Sequence, residues 1–572
     1  MIAGIAGDGV LFTGNVLAKI LKMSGWEIVT YRDFPSNIRG EETSYTIRAS
    51  LEEIHGRSDK VDVLIAFDCK SIFKHLDKIS ERGLIICDGE DLAGVPGGGD
   101  RAITHYVLLL RKLARDYFRS ELYKNMIVLG VLCFILDLDS TKVKKVVSEI
   151  FLKTKGKEAV EKNCQALNIG YNEAARIVDS KERHSLEVRE DRERLLISGD
   201  EAIALGALAA GCRFFAAYPI CPASEIWQYL ALHMGKFNGL VVQVEDELAA
   251  LNMVLGASFA GVRSMTSTSG PGASLMMEAF GLSGMAEIPA VIAHVQRVGP
   301  STGMPTKTEQ GDLLQWVFGS HGDFPRIVLS PGNVEECFEL TWRAFNLAEK
   351  YQCPVVILTE QDYGQNLRTV KKIELSEVKI DRGKLLRRKK LGGFKEFRRY
   401  AFTSDGVSPR SVPSQPGGIY VAEGNEHDEW GYRNEDAENR KRMMEKRMLK
   451  LKSALKDLIP ARIWGKKDSS LGIISFGSNF GAIREAMKQL EEKGIHTRFL
   501  QLRTIWPLQI DEVMDFVNSC HKLFVVENNY SGQLSTLLRS QIRAEVEIFD
   551  INKYSSDSFT PPEISLPIER EV

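Results

Sequence analysis

Two periods of apolar residues organise this chain: short runs rich in β-branched and aromatic side chains, and segments whose apolar positions recur every three to four residues. Up to residue 185 they interleave. "MIAGIAG", "WEIVTYRDFP", "SYTIRAS", "VDVLIAF" and "GLIICD" read as strands, and "LFTGNVLAKILKMSG" as a helix. A charged helical tail, "KERHSLEVREDRERL", reads as the linker that follows. From 186 to 385 the alternation is cleaner: helix "DEAIALGALAAG", strand "CRFFAAYP", helix "PASEIWQYLALHMG", buried strand "LVVQV", helix "ELAALNMVLGASFAG", strand "RSMTSTS", helix "GASLMMEAFGLSGMAE", strand "PAVIAHVQ". Such alternation predicts a parallel sheet with helices on both faces.

Residues 386–467 break the pattern. They run from the basic "RRKK" through "SPRSVPSQPGG" to the charged helix "ENRKRMMEKRMLKLKSALKDL", and read as a charged connector lying on the surface. Residues 468–572 resume with strand "LGIISFG", helix "GAIREAMKQLEEKG", and strands "HTRFLQLR" and "KLFVVENN". The fold class is therefore α/β, several parallel-sheet domains in one chain.

Bulk composition narrows the function only by exclusion. At 572 residues the chain exceeds a single core. A 26% charged content with a net charge of −2 gives no electrostatic case for nucleic acid or an anionic membrane. The start lacks a basic signal region, and the longest apolar candidate, "AIALGALAAGC", stops at Arg213, so a cytoplasmic protein without a membrane span is expected. Cys69, Cys87, Cys133, Cys164, Cys212, Cys221, Cys337, Cys353 and Cys520 form no C-x-x-C pair and no cluster with ligand spacing. Most are expected to be buried small hydrophobes, with any iron–sulfur centre on another chain.

Six stretches could carry chemistry. In "LVVQVEDELAAL", 240–251, an apolar strand runs into Glu245, Asp246 and Glu247 before a helix whose Leu248, Ala249, Leu251 and Met253 suit packing on a sheet. The acids could cap that helix. Alternatively one is a carboxyl at the carboxyl edge of a parallel sheet, where apolar neighbours raise its pKa and let it exchange a proton. In "AAYPICPASEI", 216–226, two prolines around Cys221 make either a rigid structural turn or a short side chain presented at the sheet edge. "TSTSGPGASLMMEA", 266–279, could bind an anion or cap a buried helix. In "HVQRVGPSTGMPTKTEQGDL", 294–313, Arg297 directly follows a strand, where an arginine can hold a carboxylate in a bidentate pair. Finally "NEHDE", 425–429, reads as a solvated polar segment rather than a metal site, since no second histidine is near. The glycines of "GIAGDGVLFTG", Gly4, Gly7, Gly9 and Gly14, surround a strand-to-helix turn that could approach a phosphate. The "GDG" within it, with Asn37 downstream, is similar to a magnesium and thiamine diphosphate motif, but the usual paired asparagine is missing.

Together these residues resemble the alpha subunit of a 2-oxoacid:ferredoxin oxidoreductase, of the 2-oxoglutarate:ferredoxin oxidoreductase type with the gamma domain fused at its N-terminus. The resemblance spans essentially the whole chain. "GIAGDGV" and "SNIRGEETSYTIR" are similar to the gamma domain. "GDEAIALGALAAGCRFFAAYPICPASEI", "QVEDELAALNMVLGASFAG", "TSTSGPG" and "QRVGPSTGMPTKTEQGDL" resemble the domain that binds the pyrimidine half of thiamine diphosphate. "GGIYVAEGNEHDEWG" resembles the connector, and "LRTIWPL" with "VVENNYSGQL" the transketolase C-terminal-like domain.

The resemblance implies roles. Glu247 is the catalytic carboxyl that hydrogen-bonds the aminopyrimidine ring, Tyr218, Pro219 and Ile220 contact the cofactor, and Arg297 holds the substrate carboxylate with help from position 221. The family usually has threonine there, and Cys221 is a weaker donor. Asp8 stands where the gamma domain commonly has glutamine, so contacts with coenzyme A are not carried over. The implied reaction is coenzyme A-dependent oxidative decarboxylation of a 2-oxoacid, 2-oxoglutarate favoured, with electrons passed to ferredoxin. The beta subunit would supply magnesium, the iron–sulfur cluster and half of the thiamine diphosphate site, in a dimer of alpha–beta pairs, and this chain would carry no metal ligands. Two other readings stay open: a non-redox thiamine diphosphate enzyme of the transketolase or 2-oxoacid dehydrogenase type, against which residues 1–185 argue, and a non-catalytic subunit marked by Cys221.

Overall fold

The computed structural model describes residues 1–36, 40–89, 103–186, 193–386, 396–543 and 545–572. Asn37, part of the charged tail (187–192) and the run "RRKK" lie outside them. The described chain forms two compact units, Met1–Ile197 with Asn366–Lys372, and Ser198–Gln365 with Ile373–Val572.

The first unit is built on an eight-stranded sheet, in the order Thr104–Leu108, Ile79–Asp88, Val61–Ala66, Ile2–Ile5, Glu42–Ser50, Glu27–Asp33, Arg368–Val370, Leu195–Ile197. Half of it departs from the expected parallel arrangement. Ile2–Ile5 pairs parallel with Val61–Ala66 but antiparallel with Glu42–Ser50, which pairs antiparallel with Glu27–Asp33. The cause is connection length: only a short loop separates Asp33 from Glu42, too short for the crossover that parallel strands need. Helix Val10–Met23 packs on the sheet, and helices Lys124–Ile135 and Ser140–Ile177 pack on that helix and on each other, with Val16, Ile20, Ile127 and Val147 in one core. Among the described residues of the charged tail, 183–186 are not helical.

In the second unit a seven-stranded sheet runs Thr504–Trp506, Ile327–Leu329, Pro354–Glu360, Ala290–Gln296, Ser264–Thr268, Phe214–Ala217, Leu240–Gln243. All neighbours are parallel except Thr504–Trp506. Its middle strands are buried end to end, as parallel strands covered on both faces must be. Leu240–Gln243 is different. It is an edge strand with Leu240 57% exposed, so its β-branched run reflects strand propensity and not burial. The last residues form a five-stranded sheet, Arg462–Gly465, Arg498–Leu502, Leu471–Phe476, Lys522–Glu527, Glu547–Asn552. Ile474, Leu502 and Phe516 of this part share one hydrophobic core with Val328, Val356 and Leu358.

The segment before it is no surface connector. Arg399, Tyr400, Arg410, His427, Lys446, Arg447 and Lys450 are all buried. "NEHDE" is only partly solvated: Asn425 is exposed, and Glu426, Asp428 and Glu429 are half-buried. His427 is fully buried, with its ring centroid 4.1 Å from that of Tyr400, and Nδ1 lies 2.9 Å from Asn425 O. Glu426 pairs with Arg440 and Arg447, and Asp428 accepts from Trp430 N and Tyr432 N. Composition alone reads such charge as solvated because its partners are distant in sequence.

Candidate active site at the carboxyl edge of the central sheet

Phe214–Ala217 lies between Leu240–Gln243 and Ser264–Thr268, so the crossover from it to Leu240–Gln243 and the next, back past it to Ser264–Thr268, run in opposite directions. Such a switch point opens a crevice outside the carboxyl ends of the strands. Four chain segments reach it: the turn through Cys221, the corner at Glu247, the hydroxyl-rich start of helix Gly270–Met285, and the loop from Arg297.

At the corner, Asp246 is the helix cap, its Oδ1 accepting from Ala249 N at 2.7 Å. Glu247 begins the helix Glu247–Phe259 and is 4% exposed. The buried face of that helix is Glu247, Ala250, Leu251, Val254, Leu255 and Ser258, spaced at three and four. Leu248 and Met253, expected on the packed face, are instead exposed on the opposite one. Burial raises the Glu247 carboxyl above its ordinary range, assisted by Asp246 and opposed by its own backbone N–H and by Arg297. A Cβ at Gly272 would stand 2.4 Å from Glu247 Oε1 and 2.1 Å from Thr268 Oγ1, so only glycine lets the next helix approach the carboxyl this closely.

Arg297 is 6% exposed. Its Nη1 donates to Cys221 O at 2.7 Å and its Nη2 to Thr302 O at 3.1 Å. The first bond ties the Cys221 turn to the arginine; the second folds the loop back on its own start. Burial pushes the Cys221 thiol up to about 11, with Arg297 opposing, so it is a neutral group in the site. Tyr218 is 41% exposed, and Pro219, Ile220 and Cys221 are half-buried beside it.

Several buried polar atoms here have no hydrogen-bond partner among the described residues: Thr266 Oγ1, Ser269 Oγ, Gln296 Nε2, Arg297 Nε and Thr308 Oγ1. Each costs about 1–3 kcal/mol unless something polar is bound. Neighbouring strand ends are held firmly. His294 Nε2 lies 2.8 Å from Asp312 Oδ2, and Gln296 Oε1 accepts from Asp312 N at 3.0 Å. The His294 ring packs on Trp316, which packs edge-on against Phe280. The segments "TSTSGPG" and "HVQRVGPSTGMPTKTEQGDL" flag this region in the sequence, but the unpartnered Ser269 and the His294–Asp312 pair carry no signal there. Among the described residues no group of three His, Cys, Asp or Glu side chains is arranged to hold a metal ion, and no helix is long and apolar enough to cross a membrane.

Three family models match the chain: pyruvate ferredoxin/flavodoxin oxidoreductase over residues 1–173, pyruvate flavodoxin/ferredoxin oxidoreductase, thiamine diphosphate-binding, over 205–446, and pyruvate:ferredoxin oxidoreductase core domain II over 470–564. A relative from Sulfurisphaera tokodaii, 2-oxoacid:ferredoxin oxidoreductase 1 subunit alpha, is 32% identical over 94% of this chain and 92% of its own length. The 2-oxoglutarate synthase subunit KorA of Methanothermobacter thermautotrophicus is 37% identical over 65% of this chain and 97% of its own. The solved 2-oxoglutarate:ferredoxin oxidoreductase from Magnetococcus marinus, with 2-oxoglutarate, coenzyme A and succinyl-CoA bound, superposes with a TM-score of 0.92 at 34% identity, covering 100% of this chain and 98% of that one. Sequence likeness over nearly the full length and likeness of fold agree: the chain belongs to the 2-oxoacid:ferredoxin oxidoreductases, among their alpha subunits.

Proposed function

We propose that this chain, paired with a separate beta subunit, catalyses coenzyme A-dependent oxidative decarboxylation of a 2-oxoacid to an acyl-CoA and CO2, passing electrons to ferredoxin. The observation that carries the reading is Glu247, a buried carboxyl of raised pKa at a switch-point crevice, with a glycine packed against it and an arginine within electrostatic reach. 2-Oxoglutarate is the favoured acid, because the solved relative that matches the whole chain binds it.

Glu247 fits the aminopyrimidine ring of thiamine diphosphate, since no side chain among the described residues hydrogen-bonds its carboxyl and burial favours its protonated form. When bound, thiamine diphosphate supplies the carbanion chemistry that decarboxylation of a 2-oxoacid requires. Glu247 holds and returns a proton at that ring. Tyr218, Pro219 and Ile220 pack beside it. Arg297 already spends Nη1 and Nη2 hydrogens on two backbone carbonyls, which leaves its Nε–H and a neighbouring Nη–H as the edge that takes a carboxylate. Cys221, neutral and a weak donor, lines the same wall. Magnesium, the diphosphate contacts and the iron–sulfur cluster are assigned to the beta subunit, in a cytoplasmic dimer of alpha–beta pairs.

The test is anaerobic co-expression with the candidate beta partner, following coenzyme A-dependent reduction of ferredoxin or a viologen dye across a panel of 2-oxoacids. Reduction with one acid, absent when either chain is omitted, is the expected result. A complex with cofactor and cluster intact that reduces nothing would overturn the reading in favour of a non-catalytic subunit.

A further inference from the structure

We propose that Gln310 is a positioning residue for Arg297: one buried amide through which the C-terminal part of the second unit fixes the loop that begins at the arginine. This rests on the role of Arg297 given above.

Gln310 is fully buried and every polar group it has is used. Its N donates to Asn528 O at 2.6 Å, and its O accepts from Asn529 Nδ2 at 3.0 Å. Its side-chain Oε1 accepts from Asn479 Nδ2 at 2.9 Å and from Asn528 N at 3.0 Å. Its Nε2 donates to Glu360 Oε1 at 2.6 Å and to Phe476 O at 3.1 Å. An amide has two donors and an acceptor oxygen with two lone pairs, so this side chain is saturated. Apart from Glu360, all of these partners belong to the part that follows residue 470. The close approach is built in. A Cβ at Gly477 would stand 2.0 Å from Glu360 Oε1 and 2.8 Å from Gln310 Nε2, at a backbone φ of 62°.

Between Arg297 and Gln310 the side chains of Thr306 and Thr308 are buried, and the Glu309 carboxyl accepts from Gly299 N. Residues 301–304 are exposed, and their anchors are internal: Val298 N to Lys307 O, Met304 N to Val298 O, and the arginine's own bond to Thr302 O. Beyond Gln310, Gln533 continues the same attachment, donating to Gly311 O at 2.6 Å and accepting from Leu314 N at 3.0 Å. The arginine is thus bonded to a loop whose far end is set by the C-terminal part. Losing the side-chain bonds of Gln310 loosens that end, leaving it to the main-chain bonds with Asn528 and Asn529 and to Gln533, and the cost falls on carboxylate capture.

Three variants test this in the assembled complex: Gln310→Ala, Gln310→Glu, and Gln310→Glu combined with Glu360→Gln. In the double variant the glutamine at 360 donates to the carboxylate at 310, restoring one amide–carboxylate bond that the single Gln310→Glu variant loses. The expected result is a KM for the 2-oxoacid raised about tenfold in either single variant, with kcat and thiamine diphosphate affinity within about twofold, and recovery of most of that KM in the double variant. Hydrogen exchange on the full chain adds a readout independent of turnover: amides in 298–309 exchange faster in Gln310→Glu, those of helix Glu247–Phe259 do not. A lowered denaturation midpoint with unchanged KM would reduce Gln310 to a structural contact and overturn the proposal, as would unchanged exchange in 298–309, or a double variant no better than the single. If the wild-type complex turns over no 2-oxoacid, the functional reading fails, while the exchange measurement still decides whether Gln310 holds the loop.

Discussion

The two ends of helix Gly270–Met285 carry opposite kinds of buried polarity. At its N-terminal end Ser269 Oγ and Arg297 Nε are buried without a hydrogen-bond partner among the described residues, and the Glu247 carboxyl is buried with no side-chain partner among them. Just past its C-terminal end Glu287, wholly buried, is matched: Lys446 Nζ and Lys450 Nζ each lie 2.6 Å from its carboxylate, and its backbone O accepts from Arg399 Nη2 at 2.7 Å. The three cations hold that carboxylate well below its usual range against the opposing effect of burial. The ion pairs of Glu287 tie the charged helix Ala437–Ala454 in place, while Arg399 Nε and Nη1 near them have no hydrogen-bond partner among the described residues. Polar residues near one helix thus sort by whether they have partners, which a sequence does not state.

The largest expected effect breaks the matched end. Glu287→Ala leaves two lysines and an arginine buried without their acid and should cost about 3–5 kcal/mol of stability, read as the urea midpoint of the chain. A loss below about 1 kcal/mol would remove the distinction between the two ends. Next, Glu247→Gln should lower turnover of the complex at least about a hundredfold while leaving the urea midpoint unchanged or slightly raised, because an unmatched group contributes function and not stability. Wild-type rates in that variant take Glu247 out of the mechanism. Arg297→Ala should raise the KM for the 2-oxoacid about ten- to a hundredfold, and an unchanged dependence on acid concentration counts against its assignment.

Acidity sharpens the comparison further. Burial pushes Lys446 down from 10.5 to about 7. Between those values the unfolded chain binds a proton that the folded chain has released, so stability should rise with pH over that window. Glu287 acts in the other range: its contribution is present above its ordinary value of 4.5 and is lost as pH falls through its lowered folded value. Lys446→Met should flatten the alkaline rise, and urea midpoints across pH would show whether it does. The smallest effect expected is that of Cys221→Thr, a change in kcat/KM of about threefold or less, since a neutral thiol and a hydroxyl differ chiefly in donor strength.

Much of this was legible in the residues themselves. Strand and helix alternation from 199 to 296 follows from local periodicity, and the corner at Glu247 and the arginine after a strand are visible as short motifs. What escaped is non-local. Glu287 and Lys446 are 159 residues apart, and no period reports their pairing. Leu240–Gln243 has the composition of a buried strand, yet its place at the sheet edge is set by strand order. Gln310 sits inside a flagged motif, but its importance comes from Asn479, Asn528 and Asn529, more than 160 residues downstream.

The strand Arg368–Val370 bears on how the first unit comes into being. It is the sheet partner of Leu195–Ile197 and covers the edge of Glu27–Asp33, where Thr369 Oγ1 donates to Glu27 Oε2 at 2.8 Å and accepts from Ile28 N. A ribosome that has made residue 197 has therefore not yet made the piece that completes this sheet, and at ordinary elongation rates the gap lasts on the order of ten to thirty seconds. During that interval the nascent chain exposes an open β edge, and a gene cut at the same boundary would make that exposure permanent.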